Sequence, residues 1–127
     1  MPETKGKTLE DMNKFIIGCG ATPTLAWLNG LSAGENALDE LLALHKKYGT
    51  AAATLIPARN VEGSTAEKTA ALQAELDRFV DACVKNDLPL LAGTEMNAPG
   101  QLLVDDFSNP ALSKHLESLL KGVDEFC

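Results

Sequence analysis

The sequence predicts a single α/β domain built on a small parallel sheet. Residues 51–56 and 90–92 are short apolar runs bounded by proline or glycine, as buried strands are. An amphipathic helix lies between them, and a strand–helix–strand succession implies a right-handed, parallel crossover. The chain of 127 residues can form one domain with a moderate core. We expect residues 1–7 to be disordered.

The first two helices are predicted from their capping residues. Thr8, with Asp11 three positions later, precedes an apolar face that continues to Cys19. Ser32 and Glu35 form a capping box before a second helix, which ends near residue 48. Between these helices, residues 24–28 fit either a short strand or an extended loop.

The third helix is the longest, and a fourth follows the second apolar run. Residues 64–67 cap the third helix, and Asn109-Pro110 begins the fourth. The predicted architecture is therefore two parallel strands, or three if residues 24–28 are extended, with about four helices. The apolar face of the third helix comprises Leu72, Leu76, Phe79, Val80 and Cys83, and that of the fourth comprises Leu112, Leu116, Leu119 and Val123.

Composition limits the classes of partner. The formal net charge of −7 argues against nonspecific binding to nucleic acid or to anionic membranes. No apolar run reaches the roughly 20 residues of a membrane span, and no apolar signal core is present, so we expect a cytoplasmic protein. The three cysteines show no CxxC spacing; we expect Cys19 and Cys83 to be buried and Cys127 to be exposed.

So small a sheet also predicts association. Two or three strands leave edges exposed, and four helices do not cover both faces. We therefore expect a homodimer or larger homo-oligomer, held together by the first or the last helix. The faces with the least certain partners within the chain are Leu9, Met12 and Ile16, and Leu112, Leu116 and Leu119.

Polar residues follow both apolar runs, where the carboxyl ends of parallel strands would meet. Arg59 offers a permanently charged clamp for a phosphate or carboxylate, and Glu95 could act as a general base. These two are the candidate catalytic residues. Alternatively, they only pair with each other and fix two loops. The candidate ligand-binding residues are Asn60, Thr94, Asn97 and Gln101.

Carboxylates near the same edge can hold a divalent cation. Asp105 and Asp106 precede the last helix, and with Glu95 they are candidate ligands for a hard cation. The alternative is that the two aspartates cap the helix and complement its dipole. His45 and His115 lie in amphipathic helical patterns, and the sequence has no HExxH, phosphate-loop or GxSxG motif.

Four segments resemble a known class of protein. They read SAGE (32–35), LIPARN (55–60), GTEMNAPGQ (93–101) and VDDF (104–107). Together they resemble the C-terminal part of large bacterial proteins of an uncharacterised family, itself similar to PHP-type phosphoesterase and amidohydrolase barrels. The likeness covers about residues 20–127, although Ala58 stands where that family has aspartate. It implies a seven- or eight-stranded barrel ancestor with Arg59, Asn60, Glu95 and Asn97 at its catalytic mouth, and a divalent metal as its cofactor.

Two functions remain open from the sequence. The first is the C-terminal portion of a metal-dependent, hydrolase-like barrel, inactive when isolated because the upstream strands and their histidines are absent. The second is a non-catalytic α/β module that binds a small anionic metabolite or a partner chain.

Overall fold

The computed structural model describes residues 6–126, so the expectations for residues 1–5 and for Cys127 lie outside the described residues. Strands β1 (Thr24–Trp27), β2 (Ala52–Leu55) and β3 (Leu90–Ala92) form a parallel sheet in the order β1-β2-β3. The prediction that the two apolar runs are adjacent parallel strands is confirmed. The ambiguous segment before residue 28 is a third strand, paired with β2.

The described part of the chain has six helices, instead of about four. Ala37 (φ −88°, ψ 51°) interrupts the second predicted helix, and residues 114–115 interrupt the last one. Thr65, rather than Ser64, accepts the capping bond of the longest helix. The helices are α1 (Leu9–Gly18), α2 (Ala33–Asn36), α3 (Leu38–Lys47), α4 (Ala66–Lys85), α5 (Pro110–Ser113) and α6 (Leu116–Phe126).

The main core lies on one face of the sheet. The strand register aligns Leu25 with Ala53 and Trp27 with Leu55, and these side chains are buried in the main core together with residues of α3, α4 and α6. Side chains alternate between the two faces of a strand, so the residues between them face the other way. On that other face Ala52 is buried, Thr54 and Leu91 are partly covered, and Ala26 is exposed.

The core is centred on an aromatic pair. The rings of Trp27 and Phe79 stack with centroids 4.3 Å apart and 5° between their planes. Cys83 is buried beside them in the core, as expected, and burial raises the pKa of its thiol to about 12. The expectation for Cys19 is wrong: it is exposed, because it lies beyond the last turn of α1 as its C-cap rather than on the apolar face of the helix.

The two edges of the sheet differ. The N–H of Ala53 donates to the carbonyl of Pro89, so Pro89 faces β2 and the backbone of Leu90 faces outward. Helix α6 lies against that outer edge at Gly122, where a methyl group would overlap the backbone of Leu90. No strand of the described residues pairs with the outer edge of β1. One edge is therefore closed by a helix, and the other is open.

Within residues 6–126, no helix is both long enough and apolar enough to cross a membrane.

Candidate functional site

Arg59 and Glu95 form an ion pair at the carboxyl edge of the sheet. Arg59 ends a short 3₁₀ turn that follows β2, and Glu95 follows β3. The guanidinium donates through Nε to Glu95 Oε2 (2.6 Å) and through Nη2 to Oε1 (2.7 Å). The prediction that both residues share one edge is confirmed. The pairing lowers the pKa of Glu95 and raises that of Arg59, because each charge stabilises the other.

The loop after β3 extends this pair into a network. The side-chain amide of Asn97 donates to Glu95 Oε1 (2.8 Å). The Gln101 carbonyl oxygen accepts from the backbone N–H groups of Asn97 (2.6 Å) and Ala98 (2.8 Å). Four of the predicted site residues, Arg59, Glu95, Asn97 and Gln101, are thus linked by consecutive hydrogen bonds. Gln101 shapes the loop, and Asn97 contacts the ion pair directly.

The two aspartates of the predicted metal site have separate partners. The Thr94 hydroxyl donates to Asp105 Oδ2 (2.7 Å), and Asp105 is buried. Asp106 accepts from the hydroxyl and the backbone N–H of Ser108, and these bonds lower its pKa. Among residues 6–126, no three His, Cys, Asp or Glu side chains form a group that could hold a metal ion. The metal site therefore stays a prediction.

Asn60 is fully buried beneath the edge. Its side-chain amide donates to the carbonyls of Leu28 (2.9 Å) and Ile56 (2.8 Å), and so joins the chain after β1 to the chain after β2. Its Oδ1 and the Trp27 Nε1 are buried without a hydrogen-bond partner in the described part of the chain. Asn60 therefore supports the loops of the site from below.

Glu35 is a structural residue of this edge that the sequence revealed only in part. Its Oε2 accepts from Ser32, which is the predicted capping box, and its Oε1 accepts from the N–H of Leu28 (2.8 Å). Burial raises its pKa, but these hydrogen bonds more than offset burial, so the pKa is lowered. The SAGE motif gave the local bond, while nothing in its spacing indicated the bond to the end of β1.

The site suits the binding of an anion better than proton abstraction. Three side-chain N–H groups hold the Glu95 carboxylate in its charged form, which makes it a weak base. Arg59 has five N–H donors, of which Glu95 engages two, and 43% of its side chain is exposed. Arg59 therefore has donors left for a second acceptor from solvent.

In comparisons with known proteins, no family model matches the chain, and neither a curated protein nor a solved structure gives a match. The fold and the site by themselves define a parallel α/β protein with an arginine–glutamate pair at the carboxyl edge of its sheet.

Proposed function

We propose that the chain is a non-catalytic α/β module that binds a small anionic metabolite at the carboxyl edge of its sheet. The observation that carries this proposal is the orientation of Arg59 by Glu95, which leaves guanidinium donors unused on a half-exposed side chain. A guanidinium held in one geometry loses less freedom when it binds a carboxylate or phosphate. Ligands of parallel α/β sheets bind at this edge.

The charge of the site restricts the ligand. Glu95 neutralises much of the Arg59 charge, and the chain carries a formal net charge of −7. An anion therefore gains nothing from the overall field of the protein and depends on direct, charge-assisted hydrogen bonds. A phosphate or carboxylate group that forms two parallel bonds with the guanidinium meets this requirement.

The first experiment follows the Arg59 Nε–H resonance, together with the backbone N–H resonances of Asn97 and Ala98 in the same loop, by NMR while inorganic phosphate is added. We expect a saturable chemical-shift change, and we expect the affinity for phosphate to fall as the salt concentration is raised. Arg59→Gln should abolish saturable binding. Lys85→Gln, at the far end of α4, removes the same charge and should leave binding unchanged. Equal loss of binding in both variants would contradict a site at Arg59.

A second substitution tests what Glu95 contributes to binding. Glu95→Gln removes the negative charge that competes for Arg59 but keeps an amide oxygen to accept its hydrogen bond. We expect phosphate to bind this variant more tightly than the original chain, because the guanidinium is no longer neutralised. Weaker binding to Glu95→Gln would argue that the carboxylate itself takes part in holding the ligand.

A metal-dependent hydrolase barrel is the second proposal. Its support is the resemblance of the LIPARN and GTEMNAPGQ segments, together with the winding of the sheet. Three consecutive parallel strands in sequential order fit a segment of a (β/α) barrel, as they also fit one half of a doubly wound sheet. We expect the isolated chain to be inactive, because in this proposal the site is completed elsewhere. Manganese-dependent hydrolysis of a generic phosphoester, lost on Glu95→Gln, would favour the hydrolase.

A further inference from the structure

The outer edge of β1 offers unpaired backbone groups. The Pro23 carbonyl accepts from the N–H of Ala51, so Pro23 faces β2. Backbone groups along a strand point to alternate sides, and those of Thr24 and Ala26 therefore point away from β2. The side chains of both residues are exposed, and no described strand pairs there. The open edge ends at Leu28, whose N–H donates to Glu35.

The segment around this edge carries no charge. Residues 15–34 contain no Asp, Glu, Lys, Arg or His, although the whole chain has a formal net charge of −7. Monomeric proteins commonly protect an edge strand with charged side chains, and this strand lacks them. Four large apolar side chains of the same segment are also exposed: Phe15, Ile17, Leu28 and Leu31.

An uncharged edge favours one occupant in particular. In a two-fold contact, each charge close to the axis meets the same charge of the other copy, and an acidic chain would repel itself on most of its surface. The uncharged segment that contains β1 avoids this repulsion. A basic partner would instead be attracted to the acidic surface elsewhere, and would gain nothing from this edge.

We propose that two copies of the chain pair through β1 in an antiparallel, two-fold arrangement. With Leu25 opposite the partner's Leu25, Thr24 lies opposite the partner's Ala26, and the two such pairs exchange four N–H···O=C bonds. The result is a six-stranded sheet in the order β3-β2-β1-β1-β2-β3. The main cores of both copies lie on one face, and the two Arg59 sites lie at opposite ends. This dimer does not depend on the anion-binding proposal.

The first test is light scattering after size exclusion over a wide range of concentration. We expect the particle in solution to have twice the mass of the 13.5 kDa chain. Ala26→Lys should shift the equilibrium toward monomer by about tenfold or more, because two like charges then approach across the axis. Ala43→Lys, at an exposed position of α3, changes the charge equally and should leave the dimer intact.

The second test needs no variant. The N–H groups of Thr24 and Ala26 have no strand to pair with in the described part of the chain, so we expect the dimer to slow their hydrogen exchange. We expect their protection to rise with protein concentration while that of β2 stays constant. A chain that stays monomeric, as it would if another polypeptide occupied the edge, overturns the proposal. So does a dimer that survives Ala26→Lys, or one that leaves these two amides unprotected.

Discussion

At the scale of single residues, the most informative polar group outside the site is His45. Its Nδ1 lies 2.8 Å from the Thr50 hydroxyl oxygen, which also accepts from the side-chain amide of Asn13 (3.0 Å). All three side chains are buried. The cluster connects α1, the end of α3 and the start of β2, because Asn13 also donates to the Tyr48 carbonyl. The sequence predicted only that this histidine lies in an amphipathic helix.

This cluster predicts that stability falls in mild acid. Burial lowers the pKa of His45 below its ordinary value of 6.5. The unfolded chain therefore binds more protons than the folded chain as the pH falls through 6.5, and the free energy of unfolding decreases until the pH is below the lowered pKa. Urea unfolding between pH 7.5 and pH 5 measures this slope. His45→Gln should cost about 1 kcal/mol at pH 7.5, through the altered hydrogen bond.

The same variant provides the check on the assignment. Without an imidazole at this position, the decrease in stability between pH 7.5 and pH 5 should become shallower than in the original chain. An unchanged slope in His45→Gln would place the titrating group elsewhere.

At the scale of elements, α6 depends on a residue without a side chain. Gly122 brings the helix backbone against Leu90. A Cβ atom there would meet backbone atoms, which cannot move aside by a change of rotamer as a side chain can. We expect Gly122→Ala to lower the free energy of unfolding by about 2 kcal/mol or more, because the helix must shift away from β3. Thermal melting followed by circular dichroism measures the loss.

Gly34→Ala is the matched control. Gly34 lies in α2, and a methyl group there meets no other atom within 4 Å. Alanine also favours helix over glycine by roughly 0.5–1 kcal/mol, so this variant should be as stable as the original chain or slightly more stable. Equal destabilisation by the two substitutions would show that contact with Leu90 is not the cause.

The elements that the sequence predicted best are those defined by local bonds. The caps at Thr8 and Ser32 depend on residues three positions away, and both are present. The break at Ala37 and the position of α6 depend on tertiary contacts, which a helical period does not contain. For the same reason, the sequence predicted that Arg59 and Glu95 share an edge, because parallel strands end on the same side of a sheet. It did not predict that Asn60 is buried beneath them.

The predicted oligomer contacts are a further example of a feature that depends on tertiary packing. Leu112 and Leu119, proposed for the interface, are buried in the core, because the last helix returns to cover β3. Leu9, Met12 and Ile16 of α1 are only partly covered. The sequence indicated that some surface was left over, but which surface depends on where the helices pack.

At the scale of the whole molecule, the asymmetry of the two sheet edges determines how copies can assemble. One open edge permits a closed pair, since each copy then uses the one strand edge left unpaired among residues 6–126. If the β3 edge were open as well, each copy could pair on both sides, and nothing would stop the growth of the sheet. Helix α6 is thus expected to limit assembly as well as to cover apolar side chains.

This argument predicts the behaviour of a chain that ends at residue 113. It lacks α6, so β3 loses the helix that covers its outer edge. We expect assemblies larger than a dimer, whose mass in light scattering grows with concentration. Ala26→Lys in the shortened chain blocks pairing through β1. The mass should then return to that of a dimer, paired through β3. Far-UV circular dichroism verifies that the sheet persists in both chains. A shortened chain that stays dimeric with its sheet intact, or one whose growth Ala26→Lys does not stop, would contradict the role given to the two edges.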